Sequence, residues 1–301
     1  MSHDLAGIFS GFIGLVPITL AQSLILSFVA LAIMVPFRLL NFQDLTSEGA
    51  FPLGGAVCAV ALAGGLNPWL ALLLGAAAGF VAGCCTAAIH LRFKIHSLLA
   101  GILVTTMLYS IDLRIMGRPN LSVFGAPSVY DALPAISDPS GAKIAVAGGC
   151  VVIVLVLLEL FLKTELGTAM RAVGANPDMA EAQGIAVARA TLVGVGAAAA
   201  FAALAGALMV QSQGFADVNM GLGVLINGLA SLMIGEALVG RRSVTRQLLA
   251  PVVGSIAYYQ LVSLCLAAGM PPPDLKLATG VFVMLMLALP ALRRGSARAA
   301  A

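Results

Sequence analysis

Charge is scarce in this 301-residue chain, where Asp, Glu, Lys and Arg together make up only 10%. A soluble domain carries about 25% charged and about 45–50% apolar residues. Here apolar residues reach 60% and the mean hydropathy is +1.05, so a soluble fold is excluded. Histidine is equally sparse: His3, His90 and His96 are scattered and form no HExxH-like pair. His90 and His96 flank a short loop and fit interfacial positions. The five cysteines (Cys58, Cys84, Cys85, Cys150, Cys265) fall in or beside apolar runs. They lack zinc-ligand spacing, and none sits in an obvious outer loop that could hold a disulfide, so small packing residues are expected. No metal, Ser/His or Cys/His set lies at one membrane depth, which leaves a membrane-embedded enzyme without support. A GxxxxGK[ST] phosphate loop is absent as well, so the chain does not hold ATP by that device. The opening MSHDL has no basic n-region, and no cleavable signal peptide is expected.

Long apolar runs are what the chain has instead. A spanning helix needs about 20 apolar residues, and such blocks recur from end to end. A β-barrel would show alternating ten-residue strands. The fold class expected is all-α, a polytopic transmembrane bundle of about nine spans (8–10) in one domain, residues 1–301. The spans fall at about 15–36, 50–64, 68–90, 97–116, 143–162, 190–212, 222–240, 247–269 and 275–292. If residues 163–189 are cytoplasmic, that side receives twelve basic residues and the outer side four: Arg114, Arg118, Lys143 and Lys276. This positive-inside bias puts the C-terminus inside. Nine spans then put the N-terminus outside. Gly75, Gly79 and Gly83 form a double GxxxG ridge, and the Ala-rich stretch 197–207 with Gly206 is its counterpart. Either ridge serves contact between helices of one subunit or an interface between subunits.

The segment 163–189, KTELGTAMRAVGANPDMAEAQGIAVAR, is a polar island with six charges. Asn176 suits an N-cap, Pro177 the first helical position, and Asp178 the positive helix end. Gly184 suits a left-handed stop. The pattern predicts a helix from Pro177 to Gln183 exposing Met179, Ala180 and Ala182. A second short helix is expected from Glu165 to Val173, ending at Gly174. Helices this short are unstable alone, so they rest either on their own bundle or in a groove of another protein. Small residues favour docking.

A translocation path is expected where span two is short and interrupted. It opens with Asp44, Leu45, Thr46, Ser47, Glu48 and Gly49 and contains Pro52, Gly54 and Gly55, the pattern of a broken helix lining a cavity. Residues 215–230, FADVNMGLGVLINGLA, are a second such segment, with Asp44 and Asp217 on opposite faces. An inverted repeat with broken half-helices would look like this, although two segments of sixteen residues do not establish it. Candidate path residues are Asn41, Phe42, Asp44, Thr46, Glu48, Phe51, Asn120, Phe215 and Asn219. For Phe42 and Phe51 ordinary core packing is the commoner role. Intramembrane ionisable residues are few. Asp112 and Arg114 lie near the outer end of span four, Glu159 pairs with Lys163 at i,i+4, and Glu236 with Arg241 or Arg242. No carboxylate sits at mid-bilayer unless span two re-enters, which speaks against proton coupling.

The run GTAMRAVGANPDMAEAQGI resembles the cytoplasmic coupling segment of ABC importer permeases of the branched-chain amino-acid and ribose type. Residues 38–57 (RLLNFQDLTSEGAFPLGGAV), 101–123 and 228–240 (GLASLMIGEALVG) resemble further motifs of that family, in order, and lie close to its tryptophan/tyrosine branch. The resemblance implies a permease that pairs with itself or with a related permease. It also implies two cytoplasmic ATPase subunits and a periplasmic or lipoprotein solute-binding protein, in the inner (plasma) membrane. ATP and Mg would belong to the partner subunit, with no cofactor on this chain and no nucleic acid as partner. The ATPase contacts it implies are Gly167, Met170, Arg171, Ala172, Gly174, Asn176, Ala180, Gly184 and Ile185, with Arg171 set to pair with an acidic ATPase residue. The expected function is therefore a translocation subunit for an amino acid or a related small polar solute. Composition alone leaves an ion-coupled secondary transporter nearly level.

Overall fold

The computed structural model describes residues 5–132, 138–241 and 243–271, with single positions between 274 and 284. Ten α-helices occur among the described residues, and eight are long and apolar enough to cross a membrane. They are α1 (Leu5–Met34), α2 (Thr46–Ala63), α3 (Pro68–Phe93), α4 (Ser97–Met116), α5 (Pro139–Lys163), α8 (Val187–Gln213), α9 (Val224–Val239, whose span reaches back through a 3₁₀ turn to Val218) and α10 (Val244–Ala267). The short helices α6 (Glu165–Ala175) and α7 (Pro177–Ala182) lie at one end of the bundle. At the other end, β1 (Asn120–Ser122) pairs antiparallel with β2 (Phe215–Asp217), with Leu121 opposite Ala216. The ninth expected span, 275–292, lies outside the described residues except for isolated positions, and Arg242 lies outside them too.

Lipid tails are as apolar as leucine, so helices in a bilayer associate through close packing and hydrogen bonds rather than through the hydrophobic effect. The centre of this bundle follows that rule. Helices α2, α1 and α8 are the most enclosed, and the contact between α2 and α8 is made largely of glycine and alanine. A Cβ at Gly206 would meet the carbonyl of Phe51, and one at Gly54 would meet the backbone of Ala203. Helix α3 closes on the same helix from the other side, with Gly79 against Ala199 and Ala203 and Gly83 against Val195 and Gly196. The glycine ridge of α3 is therefore an internal contact between helices of one subunit. The sequence left that choice open.

Span two is not a broken helix. α2 runs unbroken through Pro52, Gly54 and Gly55 for 18 residues. Proline removes the backbone bond to the carbonyl four residues back, here that of Glu48. Gly221, at the end of a 3₁₀ turn over Val218–Gly221, packs against that same carbonyl and the Pro52 ring. The glycines are smooth contact surface and not hinges. Irregularity lies ahead of the helix instead. α1 passes into a π-helical turn, Val35–Leu39, and residues 40–45 are non-helical. Gly101, about one turn inside α4, packs on the backbone of Leu45, so α2 starts about 6 Å in from that end. The second expected half-helix is likewise corrected. Residues 215–221 form a strand and a 3₁₀ turn, and α9 starts at Val224.

Replacing Gly206 with Ala is expected to destabilise the bundle by about 1–3 kcal/mol, the cost of overpacking. The same change at Gly149, where a Cβ meets nothing within 4 Å, is expected to be near neutral. Thermal unfolding in detergent, followed by circular dichroism, distinguishes the two.

Candidate functional site

The stretch between α1 and α2 enters the bilayer region without helical hydrogen bonds, a conformation tolerated only where it is enclosed by protein or lines a cavity. Its polar groups are met one by one. Phe42 N–H donates to the Pro36 carbonyl (2.9 Å), and the Phe42 ring packs edge-on against His90 at 5.0 Å. Asn41, exposed, takes φ +51°, a left-handed conformation open to asparagine. Asp44 is buried, and its Oδ1 accepts from Thr46 N–H (2.8 Å) and Thr46 Oγ1 (2.5 Å). The Thr46 proton is thereby committed, so Thr86 on α3 acts as donor in the 2.7 Å Thr46–Thr86 pair. Thr105 on α4 donates to the Leu45 carbonyl at 3.1 Å. Oδ2 of Asp44 has no donor. Asp44 lies between two spans, and burial pushes its carboxyl above the ordinary carboxylate range, held back in part by the bonds from Thr46.

α9 spans 16 residues, or about 24 Å, less than the roughly 30 Å hydrocarbon core. The N–H of Gly223, which caps it, donates to Glu48 Oε1 at 2.9 Å. A carboxylate thus sits at the positive end of a helix, and the starts of α2 and α9 meet within the bundle.

The path candidates separate into two groups. Asn41, Phe42, Asp44, Thr46, Glu48 and Phe51 belong to the α2 entrance, although Phe42 and Phe51 are core residues in this chain. Asn120, Phe215 and Asn219 lie at the β1–β2 end. There Asn120 Nδ2 donates to Asp217 Oδ2 (3.2 Å) and Asn219 N–H to Asp217 Oδ1 (2.7 Å), while the Phe215 carbonyl accepts from Gln213 (3.0 Å).

The ion pairs depart from expectation in one case. Glu159 and Lys163 pair at 2.9 Å as their spacing predicts. Glu236 pairs with Arg241 at 3.5 Å as expected, but is gripped more closely by Arg38 of the π-helical turn, in a two-pronged contact of 2.6 and 2.7 Å. Periodicity cannot reveal a partner 198 positions away. Asp112, named from the sequence as an intramembrane ionisable residue near the outer end of span four, is fully buried, and neither oxygen has a donor. The row Ala100, Val104, Leu108, Asp112, Met116, all on the buried side of α4, was the available signal.

The polar island folds largely as its caps dictate. Thr164 Oγ1 accepts from Gly167 N–H (3.4 Å) to start α6, and Asn176 Oδ1 accepts from Met179 N–H (3.0 Å) to start α7. Gly184 takes φ +80° and ends it. Gly174, however, does not stop α6, which continues to Ala175. A Cβ there would strike the Leu39 carbonyl, so this glycine permits close approach. Gly167 does the same against Leu162. Ala180 is 4% exposed and Met170 1%, so Ala180 is not on the outer face as expected. Arg171 is half-buried and donates to the Leu162 carbonyl at 3.2 Å, which ties α6 to α5. Ala172 and Ile185 are half-buried, and Asn176 and Gly184 are exposed. The outward side chains are Leu166 (50%), Met179 (60%), Asp178 and Glu181.

An all-helical bundle with eight candidate membrane crossings and a folded polar segment at one end defines a multi-pass membrane protein. Residues 16–290 match the family described as branched-chain amino acid transport system / permease component, and the chain belongs to it. It is 37% identical over 269 residues to the "Tyrosine transport system permease protein" of Clostridioides difficile (strain R20291), covering 89% of each chain. It is also 34% identical over 272 residues to an uncharacterised protein of Rickettsia prowazekii (strain Madrid E), covering 89% of this chain and 95% of that one. No solved structure matches. The chain is thus the translocation subunit of an ABC importer, and the ion-coupled carrier is set aside.

Asn176→Ala removes the α7 cap, worth about 1 kcal/mol. Amide exchange over residues 177–183 is expected to quicken by roughly fivefold, with α8 unchanged, when read by hydrogen–deuterium exchange mass spectrometry.

Proposed function

We propose that this chain works as one of two permease subunits, paired with a second copy or a related permease, in the inner (plasma) membrane. Its N-terminus is outside and its C-terminus cytoplasmic. Two cytoplasmic ATPase subunits bind and hydrolyse ATP, and an extracytoplasmic binding protein delivers the solute. The observation that carries this reading is the α6–α7 island. Its helices are held by their own caps against the bundle while Leu166 and Met179 face outward. Apolar side chains at half exposure on a charged segment suit a protein partner.

In this reading segment 163–189 is the coupling surface. Gly167, Met170, Arg171, Gly174 and Ala180 form its frame, seated on the bundle. The contact itself is made by Leu166, Met179, Asp178 and Glu181. The solute proposed is an aromatic amino acid or a close relative, on the strength of the tyrosine permease similarity. The path passes the start of α2, where Asp44, Thr46 and Glu48 gather.

Two measurements on the reconstituted importer test this reading. Met179→Arg is expected to cut solute-stimulated ATPase activity by roughly tenfold, as for an interface hot spot, with the thermal transition of the bundle unchanged. Stimulation at the wild-type level would sink the docking role. Glu48→Gln keeps an acceptor for Gly223 N–H but removes the charge, and is expected to slow uptake with assembly intact. Uptake at the wild-type rate would move the path away from α2.

A further inference from the structure

A cavity of about 280 Å³ lies against the irregular segment ahead of α2. Its walls are Ile33 of α1, Phe37 of the π-helical turn, Gln43, Asp44 and Leu45 of the irregular segment, Leu98 of α4, and Leu225 and Leu229 of α9, with Asp44 the one carboxylate. The size is near the lower end of ligand pockets, which run from ~300 to 1,000 Å³. Asp44 is 2% exposed, and its two oxygens have different duties. Oδ1 holds both groups of Thr46 and so starts α2. Oδ2 has no donor at all. A buried carboxylate oxygen without a donor is costly, and α2 does not need it for its cap. Among the described residues no cation answers it: Arg38, in the π-helical turn, is engaged by Glu236. His90, behind the segment, is bonded to the Ile95 carbonyl and stacked on Phe42. Asp112, the other buried carboxylate lacking donors, does not border this cavity.

We propose that Asp44 is the ammonium-recognising residue of the translocation path, and that the path takes solutes bearing a primary ammonium group on an apolar body. The assignment rests on the permease reading for its place in transport, but the binding chemistry stands on the cavity. An ammonium at this wall donates to Oδ2, and the apolar side chains enclose an aliphatic or aromatic body. A solute with the same body and a carboxylate in place of the ammonium brings no donor to Oδ2 and is not held there.

The test uses the purified full-length permease in nanodiscs with two probes of matched body, phenethylamine and 3-phenylpropionate, and calorimetry as readout. Phenethylamine is expected to bind and 3-phenylpropionate not to. Asp44→Asn keeps an acceptor for Thr46 N–H and is expected to weaken phenethylamine by roughly ten- to a hundredfold, the range of a charge-assisted hydrogen bond. Leu98→Trp fills the cavity from its rim, leaves the Thr46 bonds intact, and is expected to abolish binding in a folded protein. Equal binding of the two probes overturns the proposal. So does wild-type phenethylamine affinity in Asp44→Asn, or a heat signal reproduced by sodium chloride alone. Co-purification of an ATPase subunit with wild type is scored separately. Its absence counts against the importer assembly, whereas loss of probe discrimination counts against Asp44.

Discussion

The bundle depends on backbone-to-backbone contact at its centre. Helices α2, α3 and α8 meet through Gly54, Gly79, Gly83 and Gly206 and the alanines opposite them. In a bilayer this closeness supplies the dispersion contact that water-driven burial supplies in a soluble core. It also explains the composition of the chain. Leu73, Val81, Val152, Ile153 and Leu157 are exposed on the outside, and the contact among α2, α3 and α8 is left to small residues.

A centre packed that tightly has room for irregular backbone only at its margins. The chain places it just ahead of α2 and just ahead of α9, and each start is answered by a carboxylate, Asp44 in one case and Glu48 in the other. Each acidic residue satisfies N–H groups that lipid cannot reach with water. One structural need thus brings two carboxylates to the same enclosed region. The donor-free oxygen of Asp44 is what remains once that need is met.

Much of this was legible in the sequence, and the failures have physical causes. Span positions followed from apolar run length, and Ser97–Met116 was placed to the residue. The caps at Asn176 and Gly184 were readable because capping is local chemistry. Gly174, Pro52 and Gly54 were misread because glycine and proline signal either a break or a close contact, and only the neighbour decides. At Gly174 the neighbour is Leu39, 135 positions earlier in the chain. The strands escaped notice because three residues are too few to show alternation. The inward face of Ala180 was hidden by the assumption that a small residue on a polar segment lies outside.

The contact between Gly174 and Leu39 has a mechanical meaning. Leu39 closes the π-helical turn Val35–Leu39, and residues 40–45 follow it directly to Asp44. With no side chain between the two backbones, α6 and this turn have no soft layer to compress. A push on the island is therefore passed along as displacement and is not absorbed. A π turn has one residue more than the helix around it needs. In the coupling role proposed for the island, α6 would act as a lever bearing on that turn.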